Sequence, residues 1–305
     1  MKIDATICIC TFKRPQMLRS LLLALNEQRS AGYVFDVNVA DNDSFKTARK
    51  VVEEISGSVG YGVRYFCEEE KNIALSRNMA VKNAVGEFVI FIDDDEFPDT
   101  GWLNGLIDIC KKQKVDGVLG PVLPCYETGA PRWLRRSGLC ERKRLKTGTL
   151  MKEPALMRTG NVLFKRSLFT HGLLFDKRFG LSGGEDSDFF ARALSEGYLF
   201  VWCDEAKVYE HVPMERCGAG YHIRRAFLRG ALNARRSNGL LSVPVLKSAA
   251  AVCAYSLMMP FMFFAGRHNF MRYLVKSCDH WGRLLGVFGI EPVKNRSFME
   301  NTKDV

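Results

Sequence analysis

Four consecutive acids, Asp93, Asp94, Asp95 and Glu96, follow the apolar run Glu87–Ile92 in this chain of 305 residues. Like charges packed this closely raise one another's pKa and resist desolvation, so the cluster costs free energy unless a cation offsets it. Mg2+ or Mn2+ takes hard oxygen ligands and commonly bridges one or two carboxylates to substrate phosphates. The Asp93-x-Asp95 spacing lets one acid face a ribose and the other a metal. Taken alone, the run also reads as a solvated acidic turn.

Five further groups have side chains that can do chemistry. Asp41 ends a second apolar run, where it can accept from a nucleobase N–H or help to cap the next helix. Thr11 closes the first strand. Arg77, one turn into a helix within Asn72–Asn78, can reach a base or a phosphate, or make a surface ion pair. Gly183-Gly184-Glu185-Asp186 opens a helix, where glycines allow close approach and the helix dipole favours acids. Asp186 there can serve as the base that takes a proton from a hydroxyl, with Glu185 beside it. His211, in Tyr209-Glu210-His211-Val212-Pro213, can complete a metal shell or serve a structural end.

The elements that must position these residues alternate in type. Strands are expected at Ala5–Thr11, Val34–Ala40, Gly62–Phe66 and Glu87–Ile92. Helices are expected from Pro15 through Leu25, at Lys46–Ile55, at Ala74–Ala84 and at Trp102–Lys112. This order argues for an α/β fold with a mostly parallel sheet flanked by helices. Ligands of such sheets bind beyond the carboxyl ends of the strands, which is where the acids stand. Residues 123–150, rich in proline, glycine and arginine, read as a long mobile basic loop. Beyond it come a β-like stretch at Ala155–Phe164, a helix from Glu185 to Glu196 and a strand at Leu199–Cys203. A further helix, Gly218 to Arg236, carries five arginines.

Charge and hydropathy divide the chain. The net charge is +10, and Pro213–Leu285 holds 11 Lys/Arg against two acids. The first 212 residues are near neutral. A basic, apolar tail suits an anionic surface, lipid or nucleic acid. Within it, Ser248–Gly266 runs 19 residues without a charge. That is the lower limit for a bilayer span, and Pro260 interrupts it. A re-entrant or in-plane segment, a span and a soluble core helix all remain open. The ten cysteines form no C-x-x-C pair and the N-terminus has no signal-like apolar run, which suggests reduced thiols in the cytoplasm.

Taken together, the motifs resemble the family 2 inverting glycosyltransferases, whose nucleotide-sugar-binding fold is called GT-A. The resemblance covers roughly residues 4 to 213. It rests on Thr11-Phe-x-Arg14-Pro15, Asp41–Ser44, Ala74–Asn78, Asp93–Asp95 and Glu185–Asp186, in that order. The Phe-Ile-Asp-Asp-Asp-Glu-Phe-Pro run further resembles bacterial exopolysaccharide glucosyltransferases of the succinoglycan-assembly type. The resemblance implies a catalytic domain at 1–213 and a membrane-associating region at 214–305. It implies a nucleotide-sugar site of Thr11, Arg14, Asp41, Arg77, Asp93 and Asp94, with Mn2+ or Mg2+ held by Asp95, Asp93 and His211. Asp186, with Glu185, would act as base. Donor and acceptor would be a UDP-sugar, UDP-glucose, and a lipid-diphosphate-linked oligosaccharide. The expected place is the cytoplasmic face of the inner membrane, with no nucleic acid involved. Two other readings are a sugar-phosphate nucleotidyltransferase, against which the glycine-free Thr6–Arg14 counts, and a non-catalytic protein gripping membrane or RNA.

Overall fold

The structure is a computed structural model, and it describes residues 2–29, 32–181, 183–234, 239, 242–290 and 293. The chain divides into two units, one of residues 1–123 and 142–210, the other of 124–141 and 211–305.

The first unit is built on strands β1 (Ala5–Thr11), β2 (Phe35–Asp41), β3 (Gly62–Cys67) and β4 (Phe88–Ile92). Between them run α1 (Pro15–Leu25), α2 (Arg49–Ser56) and α3 (Ile73–Lys82). After β4 come β5 (Glu96–Pro98), α4 (Trp102–Gln113), β6 (Gly117–Leu119) and β7 (Val122–Tyr126). Next in chain order are α5 (Arg132–Ser137), which belongs to the second unit, β8 (Asn161–Lys165), α6 (Ser167–Thr170), α7 (Glu185–Ser195), β9 (Phe200–Trp202) and β10 (Val208–Val212). The main sheet has seven strands in the order β3-β2-β1-β4-β8-β6-β9, and a small second sheet runs β5-β10-β7.

Both faces of the central strands are buried, as a sheet covered on two sides requires. Along β4, Phe88, Ile90 and Ile92 pack into one core with Leu18, Leu21, Leu22 and Leu106. The alternate residues Val89 and Phe91 pack into a second core with Phe164, Phe189, Phe190 and Phe200. Phe164 contacts Phe91, Phe169, Phe189, Phe190 and Phe200 ring to ring. Each such pair adds about 0.5–1.5 kcal/mol beyond area burial.

The main sheet is mostly parallel, as expected, with one strand running against the rest. β1 pairs in parallel with β2 and β4, but β8 runs antiparallel to both β4 and β6. A parallel neighbour needs a crossover connection, and β8 instead enters after the long excursion through 123–160. That excursion is not all loop, since it contains the end of β7, α5 and a 3-10 turn at Pro154–Leu156. The expected helix at Lys46–Ile55 begins at Arg49, because Asp43, Lys46 and Arg49 are tied in turns first.

The second unit carries α8 (Ala219–Ala234), α9 (Val243–Phe264) and α10 (Arg267–Val287). Arg235 and Arg236, expected to extend the arginine-rich helix, lie outside the described residues. Its core joins Trp133, Leu134, Cys217, Ala226, Met271, Val275 and Cys278. Glycines let α8 and α10 approach closely: a Cβ on Gly282 would lie 2.3 Å from the Phe227 carbonyl oxygen. The apolar run forms α9 with Pro260 inside it, and it is the one helix among the described residues long and apolar enough to cross a membrane. Leu257, Phe261, Phe263 and Phe264 on it are exposed.

Candidate active site

Order in the main sheet reverses at β1, which has β2 on one side and β4 on the other. The crevice outside such a reversal is where open α/β sheets hold their ligands. Thr11 ends β1 there, and the acids leave β4 beside it. Thr11 Oγ1 donates to Asp94 Oδ2 at 2.8 Å. Arg14, at the N-cap of α1, donates to Asp94 Oδ1 at 2.7 Å and to Asp95 Oδ2 at 3.1 Å. Burial raises the Asp94 pKa while Arg14 opposes the rise. Thr11, Arg14 and Asp94 therefore bind one another, and they fasten the end of β1 to the acidic turn.

Asp93 and Glu96 close that turn reciprocally, since the Asp93 N–H donates to Glu96 Oε2 and the Glu96 N–H donates to the Asp93 carbonyl, each at 3.1 Å. Gly160 packs against both acids. A Cβ there would sit 2.9 Å from Glu96 Oε1 and 3.1 Å from Asp93 Oδ2, so no side chain fits without moving a carboxylate. Burial pushes the Asp93 carboxyl up to about 7, with Arg77 opposing and Asp95, Asp186 and Asp94 adding to the rise. Burial likewise pushes Glu96 well above its usual range, and its Oε1 is buried with no hydrogen-bond partner.

Arg77 holds the second acidic group, and its charge also acts on Asp93 in the first. Gly183 and Gly184 adopt left-handed backbone, with φ of 77° and 102°, and so turn the chain into α7 with Glu185 and Asp186 in its first turn. Arg77 Nη1 donates to Glu185 Oε1 at 2.6 Å and to Asp186 Oδ1 at 2.8 Å. Burial alone would lower the guanidinium pKa, but Asp186, Glu185 and Asp93 together raise it. Next to it, Asn78 clamps the Phe175 backbone in both directions, at 2.8 and 2.9 Å. The 175–186 segment is thus held against α3. Thr159 Oγ1 donates to Asp186 Oδ1 at 2.9 Å, while Oδ2 receives only a long 3.4 Å contact from the Thr159 N–H.

On the other side of β1, Asp41 is fully buried. It accepts from the Asp43 N–H at 3.1 Å, the Ala48 N–H at 3.0 Å and the Tyr65 hydroxyl at 2.9 Å. Burial still raises its pKa against those bonds. Asp43, two residues on, keeps Oδ2 buried without a partner. His211 lies on β10 in the second unit, half-buried. Among the described residues no three of His, Cys, Asp and Glu group as metal ligands. The pair Asp93 and Asp95 does fit a hard divalent cation that keeps diphosphate and water oxygens in its shell. Crowded like charges at Asp93 and the unpartnered Glu96 Oε1 are what such a cation relieves.

Asp43, Tyr65, Thr159 and Gly160 escaped the reading of motifs. Asp43 shares its turn with Asp41 and Asn42, so residue type could not rank it. Thr159 and Gly160 stand in an irregular stretch whose only signal is their nearness to a strand.

Comparison with known proteins decides the class. The model of glycosyl transferase family 2 matches residues 6–172, more than half of the chain. The chain belongs to glycosyltransferase family 2. It is 30% identical to the succinoglycan biosynthesis protein ExoM of Rhizobium meliloti (strain 1021), over 97% of this chain and 96% of that one. It is 23% identical to the hyaluronan synthase of Pasteurella multocida, over 69% of this chain and 25% of that longer protein. Among solved structures, S. aureus TarS 1-349 in complex with UDP-GlcNAc matches with a TM-score of 0.58 at 15% identity, covering 94% of this chain and 91% of that one. At that identity the likeness shows the fold, which is GT-A-like. Family membership makes the protein an inverting glycosyltransferase that draws on a nucleotide sugar. The nucleotidyltransferase and non-catalytic readings give way to it.

Proposed function

We propose that this enzyme transfers one hexose, glucose from UDP-glucose, to a lipid-diphosphate-linked oligosaccharide in surface polysaccharide assembly. The observation that carries the site assignment is the Arg77 bridge, which joins the proposed base, Asp186, to a charge cluster that also contains Asp93. Similarity to a succinoglycan biosynthesis protein along nearly the whole chain supports the polysaccharide context.

Asp186 takes the proton from the acceptor hydroxyl as that oxygen attacks the anomeric carbon from the face opposite the diphosphate. Oδ2 is the atom suited to this, because Oδ1 is occupied by Arg77 and Thr159. Arg77, Thr159 and Glu185 fix the orientation of that carboxylate. A single displacement of this kind converts an α-linked donor to a β-linked product. Asp43 Oδ2, buried without a partner, is suited to accept from the uracil N–H, and Asp41 holds the loop that presents it. Mn2+ or Mg2+ held by Asp93 and Asp95 would neutralise charge growing on the departing diphosphate. The exposed apolar face of α9 and cations such as Lys247, Arg267 and Lys276 suit a peripheral or monotopic seat on the cytoplasmic face of the inner membrane. Residues 1–213 supply the catalysis and 214–305 the membrane seat.

A donor screen with membranes containing lipid-linked oligosaccharide tests the reading, with UDP release as signal and the new linkage read by NMR. A β-linked hexose from UDP-glucose is expected. An α-linkage, or release from a different donor alone, would overturn the corresponding part.

A further inference from the structure

Beside the acids lies a pocket on the β8-β6-β9 side of the sheet, away from Asp41 and Asp43. Its walls include Leu145, Met151 and Trp202, and its charged members are Arg142, Lys143 and Arg158. No acid lines it. Arg142 is neutralised by Glu210, with Nη2 2.8 Å from Oε2. Lys143 and Arg158 make no ion pair among the described residues.

The segment after Arg158 connects this pocket to the reaction centre. Thr159 donates to Asp186, Gly160 abuts Asp93 and Glu96, and Asn161 starts β8. Arg158 directly precedes Thr159, whose hydroxyl contacts the proposed base. A concave surface with apolar and indole walls and two uncompensated cations suits a saccharide that carries an anion. The donor's diphosphate is expected on the far side of the acids, at the carboxyl ends of β1 and β4.

We infer that this pocket is an acceptor subsite in which Arg158 and Lys143 bind an anionic group attached to, or adjoining, the sugar that receives the hexose. The inference rests on the proposed transfer reaction. The anion is either a diphosphate at the reducing end or a carboxylate on the glycan, since both offer oxygens to a guanidinium and an ammonium.

The test is calorimetric binding to the full chain of three probes: cellobiose, cellobiouronic acid and cellobiosyl diphosphate. UDP binding and UDP-glucose turnover are measured in parallel. At least one anionic probe should bind about tenfold or more tightly than cellobiose, as one or two charge-assisted hydrogen bonds warrant. The probe that shows the gain identifies the source of the anion. The R158A/K143A variant should lose that gain while UDP affinity stays within twofold. Equal binding of all three probes, or a gain that survives in the variant, overturns the inference. Parallel loss of UDP affinity in the variant also overturns it, by assigning these cations to the donor. Absent UDP binding and turnover in the unmodified protein would instead count against the proposed function, and the two failures are read separately.

Discussion

Asp186 and Arg77 carry opposite expectations when each is removed. Replacing Asp186 by Asn preserves the contact from Thr159 and removes the basic oxygen. Turnover should fall by about 10²–10⁴-fold with UDP affinity kept, since that is the usual contribution of a general base. Single-turnover kinetics beside UDP titration check this, and near-normal turnover refutes the assignment. Arg77→Ala, in contrast, leaves Glu185 and Asp186 facing Asp93 without their common cation. Breaking a buried ion pair from one side costs about 3–5 kcal/mol. Thermal unfolding should show a loss of roughly 10 °C for a unit of this size. A melting point within 2 °C, roughly the shift that 1 kcal/mol produces in such a domain, would mean that the bridge bears little of the site's order. The acids and Arg77 were legible as chemistry from type and spacing. Their partners were not. Arg77 reads as a nucleotide contact until its distance to residues 108 and 109 positions later is known. Arg14 and Asp94, likewise, turn toward each other.

At the scale of elements, the site depends on backbone that lies close to carboxylates. Gly160→Ala forces a methyl against Glu96 and Asp93, so at least one of those carboxylates must move. Activity should drop at least tenfold, because misplacement by about 1 Å can cost about a hundredfold in a positioned reaction. UDP-release assays of this variant test that, and unchanged rates would show that the turn can yield. In α10, Gly282→Leu should separate α8 from α10 and lower the protection of both helices in hydrogen exchange, with unaltered protection counting against close packing. Repeating strand and helix patterns made the first four strands and four helices readable, because apolar residues on both faces of a buried strand leave a plain run. β8 was readable as a strand but not in direction. Direction is set by the connection, and nothing local in Asn161–Lys165 encodes it. The short strands Glu96–Pro98 and Gly117–Leu119 have three residues each, too few for any periodicity.

For the molecule as a whole, pH and surface matter most. A carboxyl whose pKa is higher folded than unfolded holds its proton more tightly in the native state. Its contribution to stability is present at low pH and is lost as pH rises from about 4 through about 7. Chemical unfolding of the metal-free protein should therefore show falling stability across that window, and Asp93→Asn should flatten the fall. A profile that is identical in the two proteins contradicts the raised Asp93 carboxyl. Charge asymmetry and the uncharged run were plain in the chain, but only the folded helix shows that Phe261, Phe263 and Phe264 are exposed. Replacing these three by Ser should move the protein from anionic vesicles to the supernatant, and undiminished sedimentation would remove α9 from the membrane seat.

Titration of UDP into the protein with Mn2+ and with EDTA tests the central claim most directly, in the unmodified chain and in Asp95→Asn. Mn2+ should tighten UDP binding at least tenfold in the unmodified chain and have no effect in Asp95→Asn. Equal affinity with EDTA, or an undiminished Mn2+ effect in Asp95→Asn, would contradict the assignment of the acids after β4 to the nucleotide diphosphate.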